Sequence, residues 1–166
     1  ALMGVLVLAP AFVGVVVLKY LLPSGFLVLA LVILVAAADV GAYFVGVNFG
    51  SRKLAASLSP KKSWEGVWGG LTLSLIVAAG FIWAMHNYLI ALSAIQVLSL
   101  LALSMGVTFF SVVGDLVESM LKRNCGLKDS GAILPGHGGV LDRVDGLVAA
   151  TPVFVLAMML VLSSET

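Results

Sequence analysis

Residues 66–114 read GVWGGLTLSLIVAAGFIWAMHNYLIALSAIQVLSLLALSMGVTFFSVVG, 49 positions without one Asp, Glu, Lys or Arg. An α-helix needs about 20 mostly apolar residues to cross the hydrocarbon core of a bilayer. This stretch is therefore long enough for two spans and a turn, and His86-Asn87-Tyr88 supplies a polar break near its middle. Working outward, the same reading applies to 1–18, free of charge up to Lys19, to 24–47, and to 146–163. The expectation is five spans, at about 1–18, 24–47, 67–85, 89–114 and 146–163. The fold class is all-α, a polytopic transmembrane helical bundle forming one domain over residues 1–166.

Composition agrees. The chain is 61% hydrophobic and 10% charged, with a mean hydropathy of +1.19. Soluble domains carry about a quarter charged residues, so a large water-soluble core is excluded. The net charge of +1 gives no electrostatic footprint for nucleic acid. One cysteine, Cys125, rules out an internal disulfide framework. The chain begins at Ala1 inside an apolar run that lacks the basic n-region of a signal peptide. It is expected to be a fragment of something longer.

The charges are gathered on one side. Arg52, Lys53, Lys61 and Lys62 follow the second span, and Lys122, Arg123, Lys128 and Arg143 follow the fourth. Two spans separate these loops, so both emerge at the same face, and Lys- and Arg-rich short loops stay cytoplasmic. Among the acidic residues, Asp115, Glu118, Asp129, Asp142 and Asp145 cluster in the second of these segments, while Asp39 lies inside an apolar run. Ionisable groups at membrane depth usually face a bundle interior or a water-filled cavity.

Three segments carry candidate chemistry. In Asp39–Gly50, Asp39, Tyr43, Gly46 and Gly50 share one helix stripe, which suits either helix packing or close approach of a ligand. In Ser59-Pro-Lys-Lys-Ser-Trp-Glu-Gly66, Lys61 and Lys62 precede a helix start, an arrangement that favours phosphate as well as setting topology. In Gly114–Asp145, Asp115 and Glu118 are spaced i, i+3, as are Asp142 and Asp145. Two helix ends presenting paired carboxylates can hold a hard cation such as Mg²⁺. Pro135-Gly-His-Gly-Gly139 is a turn whose backbone N–H groups can approach an anion. Lys122, Arg123, Lys128 and Arg143 would neutralise phosphate oxygens. Together these are the ingredients of phosphoryl or nucleotidyl transfer.

The segment from Ser119 through Lys128-Asp-Ser-Gly-Ala-Ile-Leu-Pro-Gly-His-Gly-Gly-Val-Leu-Asp-Arg-Val-Asp145 resembles the signature of the phosphatidate cytidylyltransferases, or CDP-diacylglycerol synthases. Asp39–Gly50 and Ser59–Gly66 resemble two further segments of that family, in the same order, with Ser63 where the family commonly has Thr. The resemblance implies a membrane enzyme that joins CTP and phosphatidic acid into CDP-diacylglycerol and pyrophosphate. It implies Mg²⁺, with K⁺ as a monovalent companion, and metal positions at Asp115 and Asp142 with Asp145 nearby. It also implies an N-terminal part longer than the one present here.

On this reading Asp115, Asp142, Lys122 and Arg123 are catalytic. Lys61, Lys62, Lys128, His137, Gly138, Gly139, Arg143, Asp39 and Asn48 line the substrates. The protein sits in the bacterial inner membrane, with the bilayer as partner, the site facing the cytoplasm, and glycine faces that admit a homodimer. Two rivals differ in kind. A lipid kinase using CTP would release CDP. An ion-coupled transporter would place its charges at mid-depth in an inverted repeat, and no repeat is visible.

Overall fold

A computed structural model describes residues 2–22, 25–56, 58–127, 130–131 and 139–163, apart from the side chains of residues 2, 3, 143 and 163. The described residues form five helices: α1 (Leu2–Leu21), α2 (Phe26–Phe49), α3 (Trp64–Tyr88), α4 (Ala94–Asn124) and α5 (Asp145–Ser163). All five are long and apolar enough to cross a membrane. The chain is an all-α integral membrane bundle.

Local chemistry sets the helix ends. Ser63 caps α3 by accepting the Gly66 N–H at 3.2 Å. Ser93 and Gln96 form a capping box at the start of α4. At its other end Gly126 adopts φ 69°, while Leu127 N–H bonds to Lys122 O at 2.9 Å and Gly126 N–H to Arg123 O at 3.0 Å. These bonds are a Schellman stop. The α3–α4 turn falls at residues 89–93, beyond the expected break at His86-Asn87-Tyr88, which instead completes α3. His86 Nδ1 accepts the Leu92 N–H at 2.9 Å and fastens that turn.

Lipid tails are as apolar as leucine, so helices in a bilayer associate through close packing of small residues. The α2–α3 contact follows this rule. A Cβ on Gly41 would stand 2.5 Å from the Gly69 carbonyl oxygen, and one on Gly70 would stand 2.7 Å from that of Ala38. Gly46 and Gly66 face each other further along the same seam. These glycines are taken up inside the chain and lend no support to a homodimer. Deeper in the bundle, the Thr108 and Ser74 hydroxyls meet at 2.8 Å between α4 and α3. Leu18, Leu31, Val107 and Ala150 are fully buried around this centre.

Two features depart from the expected outline. A small antiparallel hairpin, β1 (Lys53–Ala55) and β2 (Ser59–Ser63), precedes α3 and pairs Lys53 with Ser63. In addition, α4 continues ten residues past the expected end at 114, to Asn124, so Asp115, Glu118, Lys122 and Arg123 are helical. The C-terminal ends of α2 and α4 and the N-terminal ends of α3 and α5 meet at one face of the bundle.

Candidate active site

That shared face holds the site. Asp115 and Glu118 lie one turn apart on α4, and Asp145 opens α5 across from them. One carboxylate oxygen from each lies within 4.8 Å of the other two. Hard divalent cations take carboxylate oxygens as ligands, and these three are gathered closely enough to be candidates for one site. Glu118 Oε1 is buried and, among the described residues, has no hydrogen-bond donor. An orphaned carboxylate oxygen is costly unless a cation or donor meets it. The donor set therefore fits a hard divalent cation.

Ammonium groups flank the cluster. Lys62, on β2, forms an ion pair with Asp115 Oδ2. Asp39, on α2, is within electrostatic reach of both. Lys122 Nζ lies 3.1 Å from Glu118 Oε2 and 2.7 Å from Asp142 Oδ1. The structure groups the carboxylates differently from the expected pairing of Asp115 with Asp142. Glu118 and Asp145 share the cluster with Asp115. Asp142, in the 3₁₀ turn Leu141–Arg143, is engaged by other donors. Its Oδ2 accepts the Ser130 N–H at 2.9 Å and the Gly139 N–H at 2.8 Å, and its Oδ1 takes Lys122. Burial opposes its ionisation, but the Lys122 ammonium and these N–H groups outweigh burial and hold the carboxyl well below its ordinary range. Asp142 thus clasps Ser130 and Gly139 to Lys122 of α4.

A second carboxylate acts on the hairpin. Glu65, in the first turn of α3, accepts the Ser51 hydroxyl at 2.8 Å, the Ser51 N–H at 3.2 Å and the Arg52 N–H at 3.1 Å. Trp64 N–H adds a bond to Arg52 O at 2.9 Å. These bonds anchor the strand pair that carries Lys61 and Lys62.

The remaining expected residues fall as follows. Lys61 and Arg123 are exposed at the same face. Asn48 is exposed, and its side-chain amide donates to Phe44 O at 2.7 Å, within its own helix. Gly139 is buried in the clasp. Lys128, His137 and Gly138 lie outside the described residues, as does the Arg143 side chain. Glu65, Ser51 and Ser130 were not among the expected site residues, whereas Glu118 is expected as a cation-holding carboxylate beside Asp115 but not among the assigned metal positions. The i, i+3 spacing of Glu118 from Asp115 was a usable signal, whereas the partners of Glu65 and Ser130 are set only by chain folding.

Fold and site together define a polytopic helical membrane protein whose carboxylates and ammonium groups converge at one membrane face. Residues 1–161 match the Cytidylyltransferase family, and the chain belongs to it. It is 51% identical over 152 residues to a phosphatidate cytidylyltransferase of Pseudomonas aeruginosa, covering 92% of this chain and 54% of that protein. It is 54% identical over 129 residues to the protein of that name from Haemophilus influenzae, covering 78% of this chain and 44% of the relative. The Bacillus subtilis protein of the same name is 43% identical over 128 residues, 76% of this chain and 45% of its own length. The chain spans about half the length of the curated relatives it matches.

Proposed function

We propose that this chain carries the catalytic face of a phosphatidate cytidylyltransferase, condensing CTP with phosphatidic acid to CDP-diacylglycerol and pyrophosphate. The observation that carries the reading is the Asp115–Glu118–Asp145 cluster, flanked by Lys62 and Lys122, at the polar end of a membrane bundle. A phosphate oxygen of phosphatidic acid forms the new bond to the α-phosphorus of CTP, and the α–β bridging P–O bond breaks to release pyrophosphate. The nucleophile is already an anion, so the protein's task is positioning and charge stabilisation rather than proton removal.

Asp115, Glu118 and Asp145 would hold Mg²⁺. When bound, that ion neutralises charge on phosphate oxygens as it develops. A monovalent ion such as K⁺ would share this acidic face. Lys61, Lys62, Arg123, Lys128 and Arg143 supply cationic donors for the triphosphate and the lipid phosphate. Lys122 and Asp142 hold Ser130 and Gly139, and His137, Gly138 and Gly139 would approach a substrate phosphate. Asp39 and Asn48 lie on the α2 side, where the nucleotide would enter. The basic loops support a cytoplasmic orientation of this face in a bacterial inner membrane, where CTP would arrive from water and the lipid laterally from the bilayer.

The test is incubation of the full-length protein with labelled CTP, phosphatidic acid and Mg²⁺, followed by lipid extraction. A labelled CDP-lipid with equimolar pyrophosphate is expected. Phosphorylated lipid with free CDP would replace this reading with a lipid kinase.

A further inference from the structure

The two buried-face lysines are held differently. Lys122 is shared between Glu118, which belongs to the cation-fitting trio, and Asp142, which lies outside it and is locked by two backbone N–H groups. Lys122 therefore keeps a carboxylate partner even when a cation takes Glu118. Lys62 makes one ion pair among the described residues, to Asp115, which is itself a member of the trio. The Lys62 side chain remains 23% exposed, and that of Asp115 36%, so the pair is open to solvent. Its backbone is anchored, because β2 is paired to β1 and Glu65 secures the chain just before β1. Only the four-carbon stem of the lysine is free to move.

A divalent cation at Asp115 and the Lys62 ammonium on the same carboxylate repel each other and compete for its lone pairs. We propose that Lys62 is an exchangeable counter-ion: it occupies Asp115 when no divalent cation is held, and turns to a substrate phosphate when one is. This rests on the cation site of the proposed function. The hairpin keeps the freed ammonium within one side-chain length of Asp115, beside the position where phosphate oxygens would meet the cation. Cation binding therefore releases a cationic donor, so the cation favours the anion and, by linkage, the anion favours the cation. Lys122 keeps Asp142 and does not exchange.

The experiment uses the full-length protein in nanodiscs. Acylation of lysines by an amine reagent is followed by mass spectrometry with and without Mg²⁺ at matched ionic strength. Lys62 should react several-fold faster with Mg²⁺ and Lys122 should not change. In parallel, Mn²⁺ binding is measured by electron paramagnetic resonance. Lys62→Met should bind Mn²⁺ roughly fivefold more tightly, the factor matching the upper end of the range for a partly exposed ion pair. Unchanged Lys62 reactivity, an equal rise at Lys122, or unchanged or weaker Mn²⁺ binding by folded Lys62→Met overturns the exchange. If Lys62→Met does not fold, the labelling of the unmodified protein decides alone. Absence of any Mn²⁺ binding to the unmodified protein overturns the cation site itself, a distinct result.

Discussion

Glu65 and Ser51 are bound twice over: the Ser51 hydroxyl lies 2.8 Å from Glu65 Oε1, and the Ser51 N–H lies 3.2 Å from Oε2. With the Arg52 N–H also on this carboxylate, the first turn of α3 grips the chain leaving α2. The lysine hairpin is suspended between these points. Glu65→Gln keeps the shape but exchanges an acceptor oxygen for a donor that faces N–H groups. The expected outcome is a raised KM for the phosphate substrates with a smaller change in kcat. The loss should be smaller than that of Lys62→Ala, which removes the ammonium itself. An unaltered KM in steady-state assays would count against the hairpin as a positioning element.

The Asp142 clasp predicts loosening at defined amides. Asp142→Asn keeps one acceptor oxygen but loses the charge that faces Lys122 and the N–H groups of Ser130 and Gly139. Hydrogen bonds to charged groups are worth about 1.5–3 kcal/mol, so exchange protection at those two amides should fall by one to two orders of magnitude. The carboxyl is depressed in the folded protein. Its contribution is thus fully present above the unfolded value of about 3.9 and is lost as pH falls through the lower folded value. Protection from the clasp should therefore be constant across neutral pH.

The acidic trio predicts a trade between stability and binding. Glu118→Gln or Asp145→Asn relieves like-charge crowding and gives the Glu118 environment a donor. Asp145→Asn should melt at or above the unmodified Tm without divalent cation, whereas Glu118→Gln also gives up the ion pair with Lys122 and should gain less. Both should lose the Mg²⁺-dependent rise in Tm and form no CDP-lipid. Asp115→Asn should lose the same two functions. Normal turnover by any of the three, measured on folded protein, would remove that residue from the cation site.

Packing at the α2–α3 seam predicts a graded series. Gly41→Ala drives a methyl against the Gly69 backbone oxygen, which cannot turn aside. Overpacking of this kind costs about 1–3 kcal/mol. A Cβ at Gly80 or Gly106 meets nothing within 4 Å. Alanine there should be neutral or stabilising by up to about 1 kcal/mol through helix propensity. Unfolding in increasing SDS, followed by circular dichroism, ranks the three.

Sidedness is checked with an impermeant thiol reagent on intact cells, in a Cys125→Ser background. Lys61→Cys should be protected and Asn87→Cys labelled. The reverse pattern would place the site outside the cell.

The five spans were legible because a bilayer imposes length and apolarity on each helix separately, and residues 66–114 satisfy that demand without reference to any partner. The common face of the charges was legible for a related reason: basic loops two spans apart must emerge together. The i, i+3 pairs Asp115/Glu118 and Asp142/Asp145 announced carboxylates at two helix ends. What they could not announce was which of the four converge. That choice depends on α4 running on to Asn124, which sets Glu118 facing Asp145, and on a 3₁₀ turn that delivers Asp142 to Lys122 and the loop amides. The Lys62–Asp115 and Glu65–Ser51 contacts join residues 53 and 14 positions apart. Each residue alone has the same intrinsic chemistry as any solvated lysine or glutamate, and only packing of α2, α3 and α4 brings its partner within reach.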